Sequence, residues 1–153
     1  MRETLTGRFP EATVERTVEW VDTDASGHQH NSAVLRWVEA AEATLFRNLA
    51  LPDYFPCAPR VQQVVNFRSK IWFGQRVKAT IAIRALGRTS MTLEFQVSSF
   101  DSVAPDGAVQ DAGTLVASGT VTTVHVPQGS LTAEPWPDHF IQAIWRACPG
   151  LRS

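Results

Sequence analysis

A chain of 153 residues with a formal net charge of -1 is long enough for one domain with its own core. It has no basic surplus to neutralise a nucleic-acid backbone. Hydrophobic residues make up 44% and charged residues 19%, an ordinary globular balance with rather few charges. Cys57 and Cys148 stand far apart and form no Cys-x-x-Cys pair, which points to a reducing compartment rather than a disulfide scaffold.

Residues 1–16 lack the apolar segment of a signal peptide, and no run nears the roughly 18 apolar residues of a membrane span. The expectation is a soluble, cytoplasmic protein. Residues 13–21 alternate, with Val14, Val18 and Trp20 on one face and Glu15, Thr17 and Glu19 on the other, which predicts a half-buried strand. From Ser32 the period changes to that of a helix over 32–49. Val34, Val38, Ala41, Leu45 and Leu49 form its apolar stripe, and Arg36, Glu39, Glu42 and Arg47 face elsewhere. Ala40, Ala41 and Ala43 keep this helix thin enough for close approach to a sheet. Leu51-Pro52 ends it, and Pro56 and Pro59 mark a loop.

The rest reads as strands over 61–67, 77–86, 91–100 and 115–126. Gly87-Arg88-Thr89-Ser90 makes a tight connection, and Ala104-Pro105-Asp106-Gly107 a longer hairpin tip. Ile81, Ile83, Val121, Val124 and Val126 lie in segments apolar on both faces. Pro135-Trp136-Pro137 opens a short terminal helix carrying Phe140, Ile141, Ile144 and Trp145. No repeat or linker divides the chain. The order β-α-β-β-β-β with a terminal helix predicts one α+β domain over 1–153 with an antiparallel sheet.

Between the first strand and the helix runs Asp22-Thr23-Asp24-Ala25-Ser26-Gly27-His28-Gln29-His30-Asn31. The first backbone N–H groups of a helix have no intrahelical partner, so they stabilise an anion or a carbonyl oxygen becoming one. A carboxylate or imidazole beside such donors is the equipment of acyl transfer. Asp24 is the candidate base or nucleophile, although an aspartate before a helix also serves simply to accept turn N–H groups. Asp22 reads as a structural turn residue. His28 can orient a water or bond a neighbouring backbone group, and His30 is the weaker candidate of the two. Asn31 reads as the side-chain N-cap, with its backbone N–H as the oxyanion donor. Gly27 allows a sharp turn and leaves room for an acyl group.

Glu39 and Glu42, inside the helix, read as solvated or ion-paired. Asp22, Asp24 and Gly27 match half of an EF-hand loop, but its twelfth position is Ala33 rather than Glu. His28 and His30 find no clear zinc partner set, since His125 and His139 stand alone. No metal and no cofactor are expected.

A strand, then residues 22–46, then four long strands resembles the hotdog fold. More narrowly, Asp22-Thr23-Asp24, Gly27-His28, Asn31, Leu35-Arg36-Trp37-Val38-Glu39 and Leu86-Gly87-Arg88-Thr89-Ser90 resemble the 4-hydroxybenzoyl-CoA thioesterase family. The resemblance spans about residues 14–126 and leaves 127–153 as an unmatched extension. It departs at Val34, where that family commonly has tyrosine. It implies a long central helix wrapped by the sheet, acyl-CoA hydrolysis, Asp24 as catalytic carboxylate and the Asn31 N–H as the donor to the thioester carbonyl. A shared site at a subunit boundary is also implied, in a homodimer or homotetramer.

An acyl-CoA substrate would set its phosphates against exposed cations, for which Arg68, Lys70 and Arg88 are the candidates, with Ser90 beside Arg88 in the hairpin. The alternatives are a carrier-protein thioesterase, a hotdog dehydratase, for which no separate histidine loop is found, and a non-catalytic acyl-CoA-binding protein. Asp24 counts against the last, because a carboxylate buried beside an acyl pocket is costly without a task.

Overall fold

The computed structural model describes residues 10–27, 29, 31–100, 102–103, 109–110 and 114–147. His28, His30, Cys148 and the 104–107 hairpin tip lie outside these residues. The elements are β1 (Glu11–Thr17), α1 (Asn31–Asn48), β2 (Arg60–Phe67), β3 (Arg76–Leu86), β4 (Ser90–Phe100), the two-residue strands β5 (Ser102–Val103) and β6 (Val109–Gln110), β7 (Thr114–Val124) and α2 (Asp138–Ala147). The main sheet has the order β1-β3-β4-β7-β2, and every neighbouring pair is antiparallel.

Alternation in β4 sets the layers. Met91, Leu93, Phe95, Val97 and Ser99 are buried while the residues between them are half-buried, so one face looks into the core. Across it lies α1, packed on β1, β3 and β4. It buries Ala33, Val34, Trp37, Val38, Ala41, Leu45 and Phe46 at steps of three and four. Gly119 is where β7 admits its neighbours closely. A Cβ there would sit 1.8 Å from the Val64 carbonyl oxygen and 2.8 Å from Phe95 Cζ.

The C-terminal segment seals one end of the sheet. Trp136 donates its backbone N–H to the Arg88 carbonyl (3.1 Å) and its indole N–H to that of Ser90 (3.0 Å). Its ring stacks with Phe140 and Tyr54. Phe140 and Ile144 of α2 are buried in the same cluster.

Two expectations need correction. The first strand ends at Thr17, and residues 20–22 form a 3-10 turn, because the Asp22 carboxylate draws in the Glu19 N–H (2.8 Å) and competes with the sheet ladder. Trp20 is therefore 72% exposed instead of sharing a core face with Val18. Glu42, read as facing away from the apolar stripe, is fully buried. Ile81, Ile83 and Val121 are covered within the single chain, and among the described residues the large apolar side chains exposed on the main sheet are Val61, Val64 and Phe67 on the edge strand β2.

Candidate active site

The site begins where the chain leaves β1. Asp22, buried, accepts the Glu19 N–H through Oδ2 and pairs through Oδ1 with Arg36 Nη2 of α1 at 2.6 Å. It fixes the strand exit to the first turns of the helix, which is the structural role its position suggested. After it, Thr23 and Gln29 form an antiparallel bridge that closes a loop at its base. Inside the loop the Gly27 N–H donates to the Asp24 carbonyl (3.0 Å). Asp24 Oδ1 accepts the Ser26 N–H (2.8 Å) and the Ser26 hydroxyl.

Gly27 turns with φ of +89°, a conformation that glycine adopts without strain. A Cβ on it would meet nothing within 4 Å. Its positive φ therefore calls for glycine at the turn, and the space a side chain would fill is open.

Asp24, Gln29 and Asn31 face Phe67, Arg68, Ser69 and Lys70 across an open cavity of about 250 Å³. The end of β2 and the segment after it thus supply the wall opposite the helix start. Asn31 is the first residue of α1, one position inside the cap that its side chain was expected to occupy; helix ends shift by a residue with small changes in hydrogen bonding. As the first helical residue it keeps a backbone N–H with no i−4 carbonyl to bind. Asp24 is exposed, so the argument from a costly buried carboxylate does not apply within one chain.

Arg68 and Lys70 are exposed on the same cavity. The sequence had marked both, but it gave no notice of Gln29, Phe67 and Ser69. The position of Gln29 between the two histidines of the site run was the one available signal. No three His, Cys, Asp or Glu side chains converge as a metal site among the described residues.

Arg88 and Ser90 fall elsewhere. The register pairs Ser90 with Val124, whereas Phe67 pairs with Ala117, which also faces Val97. Seven residues of strand, about 23 Å, separate the β3–β4 hairpin from the Asp24 cavity. Arg88 is exposed, and the Ser90 carbonyl is taken by the Gly87 N–H (2.8 Å) and the Trp136 indole. Glu39 is exposed. Glu42 sits far along α1, where it accepts the Tyr54 hydroxyl (2.9 Å) and pairs with Arg60 at 2.5 Å. Burial first, and then the Glu42 carboxylate, push the Tyr54 phenol well above its ordinary pKa. Tyr54 therefore serves as a neutral donor in a structural network.

The sequence model described as the thioesterase-like superfamily matches residues 18–144. This chain belongs to the thioesterase-like superfamily. The match runs through Trp136 and into α2, so most of the segment read as an extension is part of the family's own domain. Thioester hydrolysis is the activity that membership carries. No curated protein sequence matches the chain at a significant level.

Solved structures share its fold at low identity. A Thermus thermophilus thioesterase complexed with coenzyme A and Zn is 23% identical, with a TM-score of 0.77 over 95% of this chain and 98% of that one. The 4-hydroxybenzoyl-CoA thioesterase of a Pseudomonas species is 22% identical, with a TM-score of 0.71 over 88% and 99% of the two chains. A 1,4-dihydroxy-2-naphthoyl-CoA thioesterase from Synechocystis is 19% identical, with a TM-score of 0.71 over 88% and 95%. The sheet around α1 is the hotdog fold that the sequence motif implied.

Proposed function

We propose that this thioesterase hydrolyses an acyl-CoA to a carboxylic acid and free CoA. The observation that carries the reading is that one cavity holds Asp24, the N-terminal residue of α1 and two cations on the opposite wall. A thioester carbonyl is already electrophilic, so one carboxylate and one oxyanion donor suffice without a serine triad. With its carbonyl oxygen at the Asn31 N–H, the substrate presents its carbon toward Asp24.

Asp24 then acts in one of two ways. As a base it takes a proton from water while the water oxygen bonds to the carbonyl carbon. As a nucleophile it forms an acyl anhydride that water later opens. In both cases the carbon–sulfur bond breaks, the acid leaves with the new oxygen, and the CoA thiolate takes up a proton. Arg68 and Lys70 meet the anionic nucleotide end of CoA.

The site works as part of a homo-oligomer. In support, β2 is an edge strand with Val61 at 59%, Val64 at 41% and Phe67 at 47% exposure. A bare apolar edge of this kind invites pairing with another copy. Arg88, too far from the cavity within one chain, contributes to phosphate binding only from a second copy.

A panel of aromatic, short-chain and long-chain acyl-CoAs, each with its acyl-pantetheine and acyl-carrier-protein counterpart, tests the reading through release of free thiol. Turnover of acyl-CoA above the other two forms is expected. Turnover of the carrier-bound form alone would replace CoA by a protein-borne pantetheine, and no turnover of any thioester would refute hydrolysis.

A further inference from the structure

The Gln29 side chain has no part in the chemistry above, yet it is a buried polar group on the cavity wall, at 7% exposure. It is held from two directions. Its backbone closes the Asp24 loop through the bridge to Thr23 and donates its N–H to the Ile71 carbonyl (2.9 Å). Its carboxamide reaches across to the segment after β2. There Oε1 accepts the Ile71 N–H (2.9 Å), and Nε2 donates over a long 3.4 Å to the Ser69 carbonyl.

The two carboxamide contacts bracket Lys70, and the one to Ser69 lies one residue from Arg68. The near end of the segment is anchored separately, by the Arg68 and Ser69 N–H groups on the Val116 carbonyl (2.8 and 3.2 Å). Those bonds do not reach the far end, where Gln29 takes over.

We infer that Gln29 is a positioning residue, whose carboxamide holds the cation-bearing segment 68–71 at a set distance from the Asp24 loop and so fixes where an anionic substrate end can bind. The chemistry selects this residue type. A planar amide offers an acceptor and a donor side by side, which matches the outward N–H of Ile71 and C=O of Ser69 as a neighbouring strand would. A glutamate keeps the acceptor, loses the donor and adds charge in an anion site. A methionine keeps the volume and loses both bonds. In either variant the bridge to Thr23 and the backbone bond to Ile71 remain, so what loosens is the stretch carrying Lys70, between that bond and the Val116 anchor, and not the Asp24 loop.

The inference rests on the acyl-CoA reading, and direct binding separates the two. Calorimetric titration with CoA itself needs no turnover: wild type that binds no CoA would fail the functional reading before Gln29 is tested. Given wild-type binding, Gln29→Met is expected to weaken CoA about five- to ten-fold. It should also raise KM for acyl-CoA by a similar factor, with most of the loss in kcat/KM carried by KM. The loss should be smaller for acyl-pantetheine, which lacks the nucleotide phosphates.

A merely structural role would instead lower the melting temperature and the active fraction, cutting kcat for both substrates with KM unchanged. That result would overturn the inference. Arg68→Ala/Lys70→Ala provides the second arm. If Gln29 acts through that wall, adding Gln29→Met to this pair should change CoA affinity less than about two-fold. A full five- to ten-fold additional loss would show that Gln29 acts by another route. If Gln29→Met does not fold, Gln29→Asn, a neutral amide one methylene shorter that does not reach Ser69 and Ile71 together, is subjected to the same comparison with the same expectations.

Discussion

Replacing Asp24 with asparagine separates its chemical role from its turn-forming role. In the structure Oδ1 accepts the Ser26 N–H at 2.8 Å and the Ser26 hydroxyl, and asparagine can accept the same two donors through its own Oδ1. The side chain is exposed, so no charge is moved into or out of a low-dielectric interior. Changing an exposed charge-assisted bond to a neutral one costs less than about 1 kcal/mol. The melting temperature of Asp24→Asn should accordingly fall by no more than about 4 °C.

The rate should behave quite differently. Asparagine cannot take a proton from water or form an acyl anhydride, and a positioned base contributes about 100-fold or more. A 100-fold loss is about 2.7 kcal/mol of transition-state stabilisation, well above the stability cost. The assay pairs initial rates of thiol release with circular-dichroism melting of the same sample. A variant that melts like wild type and hydrolyses within a few-fold of its rate would remove Asp24 from the mechanism. The carboxylate would then be only the capping group of the Ser26 turn.

Asp22→Asn should give the opposite pattern: a stability loss of about 1–2 kcal/mol from the Arg36 pair, which is half-exposed on the arginine side, with a modest fall in rate. Glu42→Gln should cost about 2 kcal/mol, and Arg60→Met more, about 3–5 kcal/mol, because it leaves a fully buried carboxylate with the Tyr54 hydroxyl but without its cation. Thermal melts give the order, and a reversed order would mean that the arginine does not compensate that charge. Light scattering at micromolar concentration should give a mass of at least two chains, and Val64→Lys on β2 should shift it toward one. A 16.9 kDa species with full turnover would contradict a shared site. Arg88→Ala should raise KM for acyl-CoA several-fold only in the oligomer, with kcat nearly intact and acyl-pantetheine spared. An equal fall in kcat for both substrates would assign Arg88 to the support of the active site.

The letters alone determined the order of the main elements and singled out the candidate site run, for reasons that act over short distances. Period-2 and period-3.6 patterns decide which backbone conformation can bury one face, so the strands of the sheet and the long helix were legible within a few residues. Gly27, with its positive φ, and the Asp24–Ser26 contacts are local turn chemistry and needed no fold. Local patterns also misled where a nearby polar group competed. The alternation at 13–21 continued past Thr17 on paper, but the Asp22 carboxylate drew the chain into a 3-10 turn and left Trp20 in solvent.

What the tertiary structure decided is everything set by register. Whether Arg68 or Arg88 shares a cavity with Asp24 depends on which end of a strand each occupies, and antiparallel pairing places the two at opposite ends of the sheet. Glu42 read as solvated or ion-paired, and the fold chose the ion pair by bringing Arg60 and Tyr54 to it from outside the helix, supplying the partners a buried charge requires. Gln29 had no visible role in the sequence because its partners, Ser69 and Ile71, are 40 and 42 residues away. Only the closing of β2 against β7 brings their backbone within reach of its amide.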